Sequence, residues 1–179
     1  MPIPYRDLRE SENPGFAGFL RFAGGESART IHGALFLINA RGEPIDFTVS
    51  SIDVPASFLW GGGEARRNAT ASLVAALFEA CPRTPLLLLA LAREVHPALF
   101  TDDILVDVPI CLVADHADLV SQSDLVLETV LTSIHLFWVG TPPKEESPAR
   151  AVLESLLARQ LLTEPFDRAA QGIEESQRE

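Results

Sequence analysis

Asp115, His116 and Asp118 follow an apolar run, Ile110 to Ala114, and Glu94 and His96 follow another, Pro85 to Ala92. Carboxylates and imidazoles are the side chains that hold divalent metals and move protons near neutral pH. Ligands of open α/β sheets sit beyond the carboxyl ends of the strands. If both runs are strands, these five residues share such a rim. They could then form a metal-binding cluster or a general base with its orienting acid. Their spacing matches no defined metal motif, and an ordinary solvent-facing loop carries the same residue types.

Other candidates read more plainly. Gly61-Gly62-Gly63 precedes a helix, where free N–H groups and the helix dipole favour an anion. No Lys or Ser/Thr follows as a phosphate loop requires, and Glu64 adds negative charge, so a flexible loop beside Trp60 is expected. G-x-S-x-G, G-x-G-x-x-G and H-E-x-x-H are all missing. Ser27, Ser50 and Ser51 have no motif linking them to a base. His32 and His135 lie in apolar surroundings and read as structural histidines. Asp102-Asp103 reads as a cap or solvated face of a short helix. Cys81 and Cys111 lack C-x-x-C spacing and suit small buried thiols in a reducing compartment.

The elements that would position these residues begin with a hairpin. Gly33 to Ile38 is almost continuously apolar, which marks a strand buried on both faces. After the turn Asn39 to Glu43, Ile45, Phe47 and Val49 alternate with Asp46, Thr48 and Ser50, which marks a strand facing water on one side. Gly15 to Ala23 reads as an earlier strand. Glu64 to Cys81 reads as a helix through Ala69, Leu73, Ala76, Leu77 and Ala80, closed by Pro82. The runs Pro85 to Ala92 and Ile110 to Ala114 suit buried strands, with a short helical segment near Pro97 to Thr101 between them. From Ser123 the spacing of Leu127, Val130, Leu131, Ile134 and Trp138 predicts a helix to about Ser133, then a short extended piece to Val139. Gly140 to Ser147 is a linker. Pro148 opens a helix through Gln160, and Phe166, Ala170 and Ile173 mark a weaker amphipathic stretch. The expected architecture is α/β: a mixed sheet of about five strands, an antiparallel meander followed by parallel strands. Its organisation reads as an N-terminal arm over 1–14, an α/β domain over 15–139 and a C-terminal helical extension over 148–179.

The 179 residues fit one domain, and 47% apolar content supports a sizeable core. With 14 basic and 25 acidic residues the formal charge is −11. Nucleic-acid affinity rests largely on Lys and Arg meeting phosphates, so this balance argues against a nucleic-acid partner or an anionic membrane. Arg66-Arg67 is the only close basic pair. The N-terminus has no apolar h-region, and the longest apolar run is far short of a membrane span, so a cytoplasmic protein of bacterial-like texture is expected.

The order of elements resembles the ribonuclease H-like fold, in the form found in endonuclease V and in the C-terminal half of bacterial excision nucleases. The similar pieces are Gly33-Ala34-Leu35-Phe36-Leu37 with Ala40-Arg41-Gly42-Glu43-Pro44, the leucines of Pro85 to Ala92, and Leu105-Val106-Asp107-Val108-Pro109-Ile110-Cys111. The match spans roughly residues 15–135. The resemblance implies carboxylates on the first strand and near the following buried strand, placed to hold paired magnesium ions. Gly18 to Ala23 and Leu86 to Leu91 contain no acid. The expectation is therefore a non-catalytic interaction or assembly module, not an enzyme. It would need no cofactor and would act with a protein partner or as a homo-oligomer through its C-terminal helices, with Trp60 and Trp138 as anchors. The alternative is a metal-dependent nuclease or hydrolase using Asp115, His116, Asp118, Glu94 and His96, with a divalent metal as cofactor. A second alternative is a nucleic-acid-binding scaffold.

Overall fold

The computed structural model describes residues 3, 14–61, 63–96, 98–119, 122 and 124–178. Most of the expected N-terminal arm, together with Gly62, Pro97 and Ser123, lies outside the described residues. The chain forms β1 (Phe16–Ala23), β2 (Thr30–Asn39), β3 (Pro44–Asp53), α1 (Ser57–Trp60), α2 (Glu64–Ala80), β4 (Leu87–Leu91), β5 (Ile110–Ala114), β6 (Val126–Leu131), β7 (Ile134–Val139), α3 (Pro148–Ala158) and α4 (Glu164–Ser176). A π-helical turn, Leu99–Asp103, and a 3-10 turn, His116–Asp118, follow β4 and β5 respectively. Seven strands form one sheet in the order β3-β2-β1-β4-β5-β7-β6, two more than expected.

The sheet is an antiparallel meander joined to parallel strands, as its hydrophobic texture suggested. β1 pairs antiparallel with β2 and parallel with β4, and β4 pairs parallel with β5. The β2–β3 turn is set by Asn39, whose Oδ1 accepts from the backbone N–H groups of Arg41 and Glu43 while its Nδ2 donates to Glu43. Gly42 completes the turn at φ +85°, a conformation costly for any residue with a Cβ. β2 is buried from Gly33 onward and β3 has no fully buried residue. Ile45, however, does not share a face with Phe47 and Val49. The register slips between Leu37 and Ile38, and this bulge turns Ile45 toward α2 while Phe47 meets Phe36 on the other face.

Two apolar layers sandwich the sheet. On one face Ala69, Leu73, Val74 and Leu77 of α2 pack on Leu20, Ile31, Leu35, Leu88, Ala90 and Leu112. Gly33 permits this approach, because a Cβ there would lie 3.0 Å from Leu73 and 3.2 Å from Leu77. On the other face Val152, Leu153 and Leu156 of α3 and Phe166 and Ala169 of α4 cover Phe19, Ile38, Leu89 and Cys111. The Phe166 ring stands edge-on to Phe19 at 5.0 Å. The C-terminal helices thus spend their apolar stripes on the sheet.

The helix expected from Ser123 is a hairpin instead. Leu127, Val130, Leu131, Ile134 and Trp138 have helical spacing, but Val126, Thr129, Val130, Ile134 and Phe137 favour a pleated surface. β6 is an edge strand with no buried residue, so it leaves no alternating pattern to read. β7 supplies the buried partner of β5. Trp138 is fully buried, and its Nε1 donates to Glu128 at 2.8 Å. Arg150 donates two hydrogen bonds to the same carboxylate at 2.7 and 3.0 Å, joining β6, β7 and α3. Arg150 holds the Glu128 carboxyl below the ordinary glutamate range, with Trp138 adding to the effect.

Candidate functional site

The parallel register of β1 and β4 brings their carboxyl ends together, and the N-terminus of α2 packs beside them. A cleft of about 840 Å³ opens there, lined by Phe22 at the end of β1, Gly24, Gly25 and Glu26 after it, Gly63 and Arg66 at the start of α2, and Arg93, Glu94, Val95 and His96 after β4. A smaller hollow of about 150 Å³ shares Gly63, Arg66, Glu94 and His96 and adds Arg67, Thr70 and Leu99. A further cavity of about 290 Å³, largely apolar, lies at the opposite end of α2 against Leu35, Phe78, Cys81, Leu88 and Leu105. Among the described residues its ionisable lining is Cys81, Arg83 and Asp107.

The charges in the cleft are arranged unequally. Arg66 donates from Nη2 to the Gly24 carbonyl at 2.7 Å, a neutral partner, and is bonded to no carboxylate among the described residues, although Glu26 and Glu94 line the same cleft. Its Nη1 is buried without a hydrogen-bond partner among the described residues. Arg93 is exposed at the cleft wall. Arg67 is committed elsewhere: it donates to both Asp103 oxygens at 2.7 and 2.8 Å. That hydrogen-bonded pair raises the Arg67 pKa and lowers the Asp103 pKa. Asp103 therefore fixes a turn to α2, rather than merely capping or solvating a short helix. The Nδ1 of His96 accepts the Ala98 N–H at 3.2 Å, so in the neutral ring the proton sits on Nε2, as a donor.

Glu94 is fully engaged. Its carboxylate pairs with Arg21 and accepts the Phe22 N–H at 3.2 Å. Arg21 does not line the cleft. Burial lowers its pKa, with the nearby Arg93 charge adding to the effect and Asp167 opposing it.

The second group of predicted residues sits after β5. Asp115 and His116 are exposed and Asp118 is half-buried in the 3-10 turn, where the Asp118 N–H donates to the Asp115 carbonyl. The His116 ring stands edge-on to His135 at 4.9 Å. His135 is buried, bonded through Nδ1 to Thr129, with Nε2 unpartnered among the described residues. No three His, Cys, Asp or Glu side chains among the described residues converge to hold a metal ion, so the two predicted groups do not merge into one site. The side chains of β1 and β4 on the α2 face, Leu20, Phe22, Leu88 and Ala90, are apolar. The paired-metal chemistry of the resembled fold does not fit these residues.

Sequence reasoning missed the convergence of Arg66 and Arg93. They are 27 positions apart, and only the β1–β4 pairing, with α2 beside it, makes them neighbours. The available signal was an arginine directly after a buried strand together with a basic residue opening the preceding helix. Next to the cleft, α1 leaves Phe58 85% and Trp60 47% exposed, whereas Trp138, the other expected anchor, is wholly buried.

No protein-family model and no curated protein matches the chain. Solved structures do. Endonuclease V from Streptomyces avermitilis is 10% identical, with a TM-score of 0.56, 91% of this chain covered and 83% of that one. Endonuclease V from Bacillus subtilis is 12% identical, with a TM-score of 0.55 and coverage of 91% and 81%. Endonuclease V from Ciona intestinalis, solved with a 23mer DNA containing an inosine followed by a ribo-adenosine, is 10% identical, with a TM-score of 0.53 and coverage of 93% and 86%. These similarities overturn the assembly-module expectation and favour its nuclease alternative, because the proteins sharing the architecture are nucleases. They also overturn the expectation of a protein partner, since one of them is seen on DNA. Net charge averages over the whole surface and does not describe this cleft, where Arg66 and Arg93 stand with Glu26 and Glu94. In its sheet order this chain shares the fold of these endonuclease V structures, the resemblance to the ribonuclease H-like fold that its element order implied.

Proposed function

We propose that this chain acts on nucleic acid, receiving a phosphate-bearing strand in the cleft between the carboxyl ends of β1 and β4 and the start of α2. The observation that carries this reading is the pair of guanidiniums, Arg66 and Arg93, facing one cleft with no carboxylate bound to Arg66 among the described residues. Phosphate contacts from Arg supply most sequence-independent affinity. The His96 Nε2–H adds a donor suited to a phosphate oxygen. The exposed rings of Phe58 and Trp60 offer stacking surfaces for unpaired bases.

Phosphodiester cleavage is the second reading, favoured by the endonuclease V name of the neighbouring structures. Glu94, His96, Asp115, His116 and Asp118 remain its candidate residues. The test titrates the purified chain with labelled single- and double-stranded DNA and RNA, following binding by anisotropy and cleavage on gels. Binding that weakens steeply with salt supports the proposal. Absence of binding to every substrate at low salt overturns it.

A further inference from the structure

The fold's expected metal centre and the charges on this cleft disagree, and the disagreement has a chemical meaning. A divalent cation in a nuclease neutralises carboxylates and presents positive charge to phosphate. Here the acid side chains that would hold it are missing from β1 and β4, whose residues on that face, Leu20 and Ala90, are buried and apolar. Glu94, the acid nearest both strand ends, already has its countercharge within the protein. Arg21 reaches it from outside the cleft lining, and the Phe22 N–H takes its second oxygen. What faces the cleft beside the paired Glu94 is then Arg66, held on a carbonyl, with Arg93 and His96, while the exposed Glu26 is the one further carboxylate among the described lining residues.

We infer that this cleft binds nucleic-acid phosphate directly on Arg66 and Arg93 with no divalent cation between them, Arg21 serving as the fixed countercharge that silences Glu94. The inference rests on the nucleic-acid reading above and specifies how that site is charged. Arg21 is a positioning residue: it does not touch the strand but decides whether Glu94 repels it.

The experiment measures binding of a fluorescein-labelled single-stranded oligonucleotide in EDTA and in Mg²⁺ at matched ionic strength, with Mn²⁺ uptake followed by electron paramagnetic resonance. Equal affinity in both buffers, and no Mn²⁺ uptake, are expected for the natural chain. Arg21→Ala exposes one carboxylate charge to the phosphate and weakens binding about fivefold. Arg21→Ala combined with Glu94→Gln restores it, a rescue that a merely structural role for Arg21 does not give. Glu94→Gln alone keeps the acceptor for Phe22 and binds at least as tightly as the natural chain, which keeps the test alive should Arg21→Ala fail to fold. Binding that requires Mg²⁺, or Mn²⁺ uptake that Glu94→Gln abolishes, overturns the inference while leaving the nucleic-acid reading intact. No binding in either buffer overturns both.

Discussion

Replacing Arg66 and Arg93 together by Gln removes the two guanidiniums that face the cleft while leaving the sheet untouched. Each phosphate neutralised on a single strand contributes about 0.7 to the slope of log affinity against log salt. Two contacts therefore account for about 1.4 of that slope, or roughly a sevenfold loss of affinity between about 50 and about 200 mM salt. The doubly substituted chain should bind more weakly at low salt and show a slope shallower by that amount. Arg67 is the internal control. Its charge is spent on Asp103, so Arg67→Gln should leave the slope unchanged. Anisotropy titrations across a salt series measure both, with thermal unfolding checking that Arg66→Gln survives loss of its bond to Gly24. An unaltered slope in the Arg66/Arg93 variant, or an equal fall in the Arg67 variant, would refute the assignment of the cleft.

The remaining predictions concern the scaffold. Phe166→Ala empties a fully buried position against Phe19 and should cost about 3–5 kcal/mol in denaturant unfolding; a loss near zero would contradict the packing of α4 on the sheet. Glu128→Gln weakens the clamp from Arg150 and should cost about 1–2 kcal/mol at neutral pH, discounted for partial exposure. Glu128 has a folded-state pKa below its unfolded one. Its contribution is therefore present above the ordinary glutamate value of about 4.3 and lost as pH falls through the lower folded value, so the gap between variant and parent should close in acid. Of the two thiols, Cys81 is partly exposed, while Cys111 is buried and its pKa is raised by burial. A thiol reagent should modify Cys81 first in the native protein and both after unfolding; early loss of Cys111 would contradict its place in the core.

The strands were legible where burial writes a strong pattern. Gly33 to Ile38, Pro85 to Ala92 and Ile110 to Ala114 are apolar because both faces of their strands are covered; the first and third lie on β2 and β5, and the second contains β4. The β6–β7 hairpin was not legible, because an exposed edge strand shows neither a continuous nor an alternating pattern, and its chance spacing mimics a helix turn. Ile45 shows a subtler limit. A single bulge reverses every facing beyond it, and the bulge comes from the tertiary register. The site was half legible. Glu94 and His96 do end up at the carboxyl end of a buried strand, as polar residues after such strands should. Asp115 and His116 follow the next parallel strand but do not combine with them into one metal-binding set among the described residues. That Glu94 is silenced by Arg21 depends on strands joined across 72 intervening positions, and no local spacing announces it.

The most direct measurement is the affinity of the unmodified chain for a single-stranded oligonucleotide at low salt in EDTA, repeated as salt is raised. Saturable binding that weakens along a linear log–log salt plot, undiminished by removal of divalent ions, is the predicted result. A flat titration under those conditions, with the protein shown to be folded, would contradict the claim that this cleft is built for phosphate.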